Sequence, residues 1–444
     1  MRTTLRNLFL SPRFFALLFG LAGLFILAYL LPGLMGPARV VALALGVAIG
    51  ADALLLYGSR GRVEAKRELP ERFSNGDLNP VQLYLRNTYL FPVRYTLIEE
   101  LPVRLQIRDF SRSGRLGSGA AHSPVYELRP TERGRYTFGA LHVLVRSPLG
   151  LLVRRFSTPG GQTVAVYPSF LQLRKYELMA ISNRLTDLGL KRIRRIGHTL
   201  EFEQIREYIP GDDVRNLNWK ATAKRGQLMV NQYQDEKSQP IYAVIDTGRV
   251  MRMPFEGMSL LDYAINAALV LSRVAIRKQD KAGLMTFNRR VENRVAADRR
   301  SSQMQRLLET LYHIDTDFAE SDFARLYTDV KRQLSHRSLL LLFTNFETLD
   351  ALSRQLPYLQ ALQRQHLLVV VFFQNTELEA FSQQSAENVR GVYQQTIARK
   401  FLYEKKRIVR ELNRHGIQAL LTRPEDLTVA TLNKYLEIKA RGML

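Results

Sequence analysis

The sequence predicts a multidomain protein in which an N-terminal transmembrane helical hairpin precedes an antiparallel β-sandwich-like domain and a doubly wound α/β domain. Two long apolar runs come first, segments with alternating apolar residues follow, and short apolar runs then alternate with amphipathic segments. A period of two residues is typical of strands, and alternating strand and helix patterns are typical of a covered parallel sheet. We expect the hairpin in residues 1–62, the β domain in 63–170, a linking segment in 171–239 and the α/β domain in 240–444.

Each of the two apolar runs is long enough to cross a membrane. FFALLFGLAGLFILAYLL lies within the uncharged stretch from Phe14 to Ala38, and VVALALGVAIGADALLLYG runs from Val40 to Gly58. A membrane-spanning helix needs about 20 apolar residues. A secretory signal peptide is the alternative for the first run, but its apolar region would be shorter and no second span would follow at once. The pattern favours a two-span hairpin.

Basic residues beside the spans predict their orientation. They flank both outer ends of the hairpin, whereas the turn between the spans offers only Arg39. Basic flanks are typical of the cytoplasmic side, so we expect both termini in the cytoplasm and the flanks close to anionic lipid. Asp52 falls inside the second span, where a carboxylate is costly unless it is paired. We expect snorkelling or a partner such as Arg13 to compensate it, in preference to proton transfer.

The next two regions differ in their apolar period. PVQLYLRN alternates Val81, Leu83 and Leu85, and PVYEL, GRYTFGALHVLVR and TVAVYP continue this strand pattern between turns. From residue 240, IYAVID, AGLMTF, LLLLFTN, LLVVVFF and IQALL are predicted strands. SLLDYAINAALVLSRVAIRK, SQMQRLLETLYHI and TIARKFLYEKKRIVRELNRHG are predicted helices, the last ended by Gly416. The strand ends, where such folds place their sites, carry polar residues. These are Asp246, Asn288, Thr344, Asn345, Gln374 and Asn375.

The residue inventory excludes several classes of function. The chain has no cysteine, which excludes disulfides, thiolate metal sites and cysteine nucleophiles. It has no G-x-x-x-x-G-K-[ST] loop, and its seven histidines are scattered without ligand spacing. The net charge of +23, from 64 basic against 41 acidic residues, leaves anionic partners open. Nucleic-acid binding is suggested by that charge alone and is not expected. The basic cluster at 191–195 is interpreted as a solvated linker in preference to a phosphate site.

The most polar stretch, REYIPGDDVRNLNWKATAKR, contains the only tryptophan of the chain. IPGDD predicts a turn in which one of the two aspartates caps a helix running through VRNLNWKATAK, and the residues after it predict a strand. The helix would place the tryptophan beneath a guanidinium four residues earlier. A structural ion-pair network, a docking surface and an active site are the three interpretations, in that order. The candidate residues are Arg206, Tyr208, Pro210, Gly211, Asp212, Asp213, Arg215, Trp219 and Lys220.

Two segments resemble a bacterial family. RPTERGRYTFGALHVLVRSPLGLLVRR and the polar stretch, continued to IYAVIDTGR, are similar to the domain of unknown function 58 (DUF58) family. The resemblance implies a location in the bacterial cytoplasmic (inner) membrane and a C-terminal domain like the von Willebrand factor A domain. It also implies action with a MoxR-type AAA+ ATPase in assembling or maturing other proteins. No enzymatic activity and no cofactor are implied.

An A-like domain commonly binds a divalent ion through D-x-S-x-S, helped by a threonine and an acid from later loops. In DTGRV, Asp246 is present, but Gly248 and Val250 stand where the resemblance implies serines. In FTNFE, Thr344 remains and Asn345 replaces the acid. Hard cations prefer hydroxyl, carboxylate and water oxygens, so this set of residues indicates a degenerate metal site that holds no metal.

These patterns together predict a non-enzymatic adaptor at the membrane. The A-like domain and the stretch from Arg206 to Arg225 would bind a protein partner, which the resemblance implies is a MoxR-type ATPase. The alternative is a metal-dependent hydrolase built on the remnant site at Asp246 and Asn345.

Overall fold

A computed structural model of the chain describes residues 7–58, 60–171, 201–210, 212, 214, 217–234, 238–384 and 388–443. The chain forms two compact units, Met1–Tyr167 and Pro168–Leu444. The first contains two apolar helices and a mostly antiparallel β region, and the second contains parallel strands and helices. At this level the predicted order of apolar helices, β region and α/β region is confirmed.

The two predicted spans are helices α1 (Pro12–Leu30) and α2 (Met35–Ala53). A short 3-10 turn, Pro32–Leu34, joins them, and a wider turn at Leu54–Gly58 extends α2. Only 6% and 11% of their most apolar windows are buried within the protein, whereas the core helix of a soluble protein would be mostly buried. Both helices are long and apolar enough to cross a membrane.

Both ends of this hairpin are attached to the β region. Strand β1 (Leu8–Leu10) precedes α1 and pairs antiparallel with β11 (Leu152–Thr158). Ser11, between β1 and α1, is buried, caps α1 at the amide of Phe14 and donates a hydrogen bond of 2.7 Å to the carbonyl of Gly150. The residues on either side of the hairpin therefore belong to one folded unit.

The β region consists of three sheets around a shared apolar core. One sheet has the order β1-β11-β10-β5-β6, a second has β2-β4-β7 with β8 also on β4, and a third has β3-β12-β9. All pairs are antiparallel except β3 with β12. The remaining strands are β2 (Val63–Glu68), β3 (Arg72–Ser74), β4 (Asn79–Asn87), β5 (Val93–Glu99), β6 (Ser111–Leu116), β7 (Ala121–His122), β8 (Val125–Leu128), β9 (Gly134–Phe138), β10 (Leu141–Arg146) and β12 (Gln162–Tyr167).

The polar stretch lies in a small hairpin with one short helix. Strands β13 (Glu201–Glu207) and β14 (Met229–Gln234) pair antiparallel. Helix α3 (Trp219–Arg225) lies between them in sequence and ends at Gly226, which has a positive φ of 71°. Because a left-handed conformation favours glycine, this residue ends the helix before β14, the strand that the sequence predicts here.

The α/β region has a six-stranded sheet in the order β19-β18-β15-β20-β21-β22. Neighbouring strands are parallel except β19, which is antiparallel to β18. All five predicted strands are present. They are β15 (Pro240–Asp246), β18 (Lys281–Phe287), β20 (Leu339–Phe343), β21 (Leu367–Phe373) and β22 (Gln418–Thr422), joined by β19 (Val291–Asp298) and by a small hairpin of β16 (Pro254–Phe255) and β17 (Met258–Ser259).

Helices cover both faces of this sheet. Ile241 and Ile245 of β15 pack in one core and Tyr242 and Val244 in the other, as expected for a strand buried on both sides. Helices α4, α5 and α10 contribute to the first core, and α6, α7 and α9 to the second. The helices are α4 (Leu260–Arg277), α5 (Ser302–Tyr312), α6 (Phe323–Gln333), α7 (Leu349–Gln365), α8 (Thr376–Gln383), α9 (Val389–Arg414) and α10 (Leu427–Ala440).

The strand order places a crevice between β15 and β20. From β15 the chain continues to β18 and β19 on one side, and then crosses to β20, β21 and β22 on the other. In doubly wound sheets the connections diverge at such a point, and ligands bind beside the carboxyl ends of the two strands. Asp246 ends β15, and Thr344 follows β20 directly.

Candidate functional site

Asp246 lies at this crevice, completely buried. Its Oδ1 accepts hydrogen bonds from the amide of Gly248 at 2.8 Å and from the hydroxyl of Ser321, and its Oδ2 accepts one from Thr344 Oγ1 at 2.6 Å. Burial raises the pKa of Asp246 above its ordinary value, although these three hydrogen bonds act in the opposite direction. Asp246 and Thr344 are therefore brought together as the sequence indicated. They contact each other directly through a hydrogen bond.

Gly248 leaves no room for the serine of the metal motif. A Cβ atom at this position would lie 2.0 Å from Ser321 Oγ and 2.8 Å from the carbonyl oxygen of Ala319. The hydroxyl of Ser321 instead reaches Asp246 from a loop 75 residues later. Ser321 was not predicted from the sequence, because local sequence patterns do not indicate contacts between residues that are 75 positions apart.

The residues present do not fit the divalent-ion site that the resemblance implies. A carboxylate offers about four lone-pair positions. Three of those of Asp246 already accept hydrogen bonds from the protein. Across the described ranges, no group of three or more carboxylate or histidine side chains is placed to hold an ion. That no metal binds stays a prediction.

Restoring the serine of the motif tests this interpretation. We expect Gly248→Ser to bind no Mg²⁺, Mn²⁺ or Ca²⁺ at millimolar concentration by calorimetry, as for the natural chain. We also expect it to lower the free energy of unfolding by about 1–3 kcal/mol, because the new side chain overpacks against Ser321 and Ala319.

The double variant Gly248→Ser/Ser321→Ala is the matched control for that prediction. It removes the hydroxyl clash but keeps the backbone contact with Ala319, so we expect partial recovery of stability. Saturable ion binding by either the natural chain or Gly248→Ser would contradict our account of the site.

A second polar cluster follows the neighbouring strand end. Lys405 Nζ of α9 lies 2.6 Å from Asn345 Oδ1 and 3.3 Å from Glu347 Oε1, and Asn345 Nδ2 donates to the same Glu347 oxygen at 2.5 Å. Lys405 is buried, which lowers its pKa, while the Glu347 carboxylate opposes that shift. The ammonium group of Lys405 therefore lies beside Asn345, the residue that replaces the acid of the metal motif.

Sequence reasoning also missed Lys405, although a signal was present. Lys405 falls on the buried face of α9, seven residues after Ala398 and seven before Leu412. A lysine on an apolar helical face requires a partner, and here Asn345 supplies it. A cavity of about 160 Å³ opens beside this cluster, lined by Asn345, Lys405 and, on its apolar side, residues such as Phe373.

In the polar stretch, Arg206 binds Asp212 through two hydrogen bonds. Nη1 lies 2.8 Å from Oδ2 and Nη2 lies 2.6 Å from Oδ1. Asp212 also accepts the amide of Ile209 at 2.9 Å, and the guanidinium holds the pKa of Asp212 below its ordinary value. Asp212 therefore closes a turn and does not cap the helix, and Asp213, the other aspartate for which a cap was expected, lies outside the described residues. Asn218 is the cap, and the helix is shorter than expected, starting at Trp219.

Other predicted residues of this stretch have different surroundings. The amide of Tyr208 donates to the carbonyl of Leu228 at 2.9 Å and extends the β13–β14 hairpin. Pro210 lies in the turn, and Lys220 is exposed on α3. Three further candidates and the basic cluster at 191–195 lie outside the described residues, including the guanidinium expected above the tryptophan. The three candidates are Gly211, Asp213 and Arg215.

The same stretch and the residues just after it carry large apolar side chains in solvent. Trp219 is 69% exposed. Ile209, Val214 and Leu228 are exposed as well. We call these four residues the motif surface. Tryptophan is enriched among residues that dominate binding energy at protein interfaces, so this segment has the composition of an interaction site.

The fold and these sites define a protein with two apolar helices, a β region and an α/β region in which Asp246 and Thr344 meet at the carboxyl ends of two neighbouring parallel strands. Residues 204–382 match the family described as "Protein of unknown function DUF58". The chain therefore carries a DUF58 region, and the resemblance stated from its motifs is confirmed. That region includes the motif surface, Asp246 and Asn345.

The chain is also similar to one bacterial protein over nearly half of its length. The chain is 29% identical over 205 residues to "Uncharacterized protein YeaD" of Bacillus subtilis (strain 168), covering 44% of this chain and 50% of that protein. The chain thus spans about half the length of the curated relative it matches.

Solved structures give only weak likenesses. An aerotolerance-related membrane protein from Bacteroides fragilis is 10% identical with a TM-score of 0.29, covering 46% of this chain and 99% of that one. The PapD-like domain 7 of human CEP192 is 18% identical with a TM-score of 0.18, covering 23% and 84%.

Proposed function

We propose that this chain is a non-enzymatic adaptor, anchored in the bacterial inner membrane by α1 and α2, that binds a protein partner through the motif surface. The observation that carries the proposal is the exposure of Trp219, Ile209 and Val214 within the DUF58 region. We propose a MoxR-type AAA+ ATPase as the partner and protein assembly or maturation as the process. Both rest on the family resemblance.

We further propose that the α/β region is a von Willebrand factor A-like domain. Its strand order, with the first strand central and the third antiparallel at one edge, supports this. The divergence of connections beside Asp246 supports it too, since that crevice is where the metal motif of an A-like domain belongs.

The state of the crevice supports an adaptor over a hydrolase. The oxygens of Asp246 accept hydrogen bonds from Gly248, Ser321 and Thr344, and the amide of Asn345 is bound by Lys405 and Glu347. A hydrolase would need a group free to activate water or to bind an ion. Direct contacts within the protein occupy these groups.

We also propose that both termini lie in the cytoplasm. The pairing of β1 with β11 supports a common side for the residues before α1 and after α2. The basic residues outside the hairpin support the cytoplasm as that side.

Capture from detergent-solubilised membranes tests the adaptor proposal. We expect the natural chain to retain an AAA+ ATPase and Trp219→Ala to lose most of it. Truncating an interface hot spot typically costs 2 kcal/mol or more, roughly a 30-fold loss of affinity. Because Trp219 is exposed, the substitution leaves the core intact.

Leu90→Ala is the matched control, since Leu90 is an exposed apolar residue of the β region outside the DUF58 match. We expect this variant to capture the ATPase as the natural chain does. An equal loss in both variants, or no ATPase retained by the natural chain, would count against the proposal.

A further inference from the structure

Helix α9 carries apolar side chains on its solvent face. Val389, at its start, is 87% exposed and Tyr393 is 68% exposed. Val392 and Tyr403 are more than half exposed, and Ile397 is exposed too. Burial of such residues within the unit would be the ordinary outcome, so their exposure on a 26-residue helix requires an explanation.

These residues form a stripe opposite the packed side of the helix. Val389, Tyr393 and Ile397 are spaced four residues apart, and residues at this spacing share one face of a helix. Ala398 is nine residues after Val389, two and a half turns away, and it is buried. The side of α9 that contains Ala398 and Leu412 packs within the α/β unit, and the stripe faces away from it.

The charge of α9 limits what can cover the stripe. Val389–Arg414 contains eight basic residues and two glutamates, a net charge of +6. A second copy of this chain would bring two such helices together and would be repelled. An anionic surface with an apolar interior complements both the charge and the stripe. A basic helix with an aromatic and aliphatic face is typical of a membrane interface.

We infer that α9 lies on an anionic lipid surface, with Val389, Tyr393 and Ile397 inserted among the acyl chains and its exposed basic residues, which exclude the buried Lys405, at the lipid phosphates. The inference rests on the membrane anchoring proposed above and is independent of the ATPase. Tethering by α1 and α2 keeps lipid at a high effective concentration, so that a weak contact of this kind is occupied. The protein would then contact the membrane through α9 as well as through the anchor formed by α1 and α2.

The absence of cysteine from the sequence makes a site-specific test direct. The full chain would be reconstituted into vesicles of phosphatidylcholine with or without phosphatidylglycerol, with Tyr393→Cys labelled by a solvatochromic fluorophore. We expect blue-shifted emission and loss of intensity to brominated lipid in vesicles that contain phosphatidylglycerol. Both effects should weaken at high salt because phosphate contacts are screened.

Asn413→Cys, exposed near the end of the same helix, is the matched control and should keep unshifted emission. Emission from Tyr393→Cys that brominated lipid never quenches would overturn the inference, as would equal quenching without phosphatidylglycerol. A blue shift that grows with protein density but resists lipid quenching would assign the stripe to a second copy instead. Flotation of the vesicles reports separately whether the chain is anchored at all, which distinguishes failure of this inference from failure of the anchoring.

Discussion

Glu99→Ala is expected to lower the free energy of unfolding of the β region by about 3–5 kcal/mol. Glu99 and Arg67 are both buried, and Arg67 Nη1 lies 2.7 Å from Glu99 Oε1. Tyr126 donates its hydroxyl to Glu99 Oε2 at 2.6 Å. Without the carboxylate, the Arg67 guanidinium would stay in the core without its counter-charge.

The other contacts of Arg67 show why it cannot simply turn to solvent. Its Nε donates to Gln162 at 2.9 Å, its Nη2 donates to the carbonyl of Gly139 at 3.0 Å, and its guanidinium lies 4.8 Å from the ring centre of Phe138. Burial and the charge of Glu99 also raise the pKa of Tyr126 well above its ordinary value, so Tyr126 remains a hydrogen-bond donor. The cluster joins side chains from several strands of the β region.

The neighbouring carboxylate gives a matched control. Glu100 is exposed and binds the amide of Ala140 and the ring of His142 at the surface. We expect Glu100→Ala to cost less than about 1 kcal/mol, as for exposed ion pairs. Denaturant unfolding in detergent measures both variants, and hydrogen exchange in β9–β12 locates the effect. Similar losses of unfolding free energy in Glu99→Ala and Glu100→Ala would contradict the prediction, because they would show that burial of the carboxylate does not determine the cost.

Asp52→Ala is expected to cost about 3 kcal/mol and to loosen the attachment of the hairpin to the β region. Asp52 is fully buried near the end of α2. Its Oδ2 accepts the amides of Leu151 at 2.8 Å and Leu152 at 2.7 Å, and its Oδ1 accepts the hydroxyl of Ser147. Each donor left without an acceptor costs about 1–3 kcal/mol. The expected partner Arg13 is therefore not what holds this carboxylate.

Hydrogen exchange at the amides of Leu151 and Leu152 checks this expectation. We expect exchange in Asp52→Ala to be about 100-fold faster than in the natural chain, since 1.4 kcal/mol corresponds to a factor of ten. Asp52→Asn keeps one acceptor oxygen and should fall between the two. Unchanged protection of both amides in Asp52→Ala would refute the role assigned to this carboxylate.

Local patterns in the sequence predicted most of the architecture. The strands from IYAVID to IQALL are buried on both faces and therefore read as continuous apolar runs. The uncharged length of α1 and α2 predicted their ability to span a membrane. Edge strand β19, in which VENRVAAD has a mixed polar face, was not predicted, and neither were helices α6, α7, α8 and α10.

The candidate site was less predictable, because long-range contacts decide it. The loss of the motif serine at Gly248 was visible in DTGRV, but the replacement hydroxyl of Ser321 was not. The two adjacent aspartates suggested a helix cap, whereas Asp212 binds Arg206 six residues earlier. Local spacing cannot distinguish these outcomes, since a short polar side chain can satisfy either a helix terminus or a nearby guanidinium.

The pairing of β1 with β11 has a consequence for biosynthesis. Leu8 pairs with Arg154, so β1 is synthesised well before its partner strand and must wait until the β region has been made. The two apolar helices emerge in that interval and can enter the membrane while β1 remains a free strand. Closing this sheet is therefore a late, long-range step that requires β1 and the finished β strands to be in the same compartment.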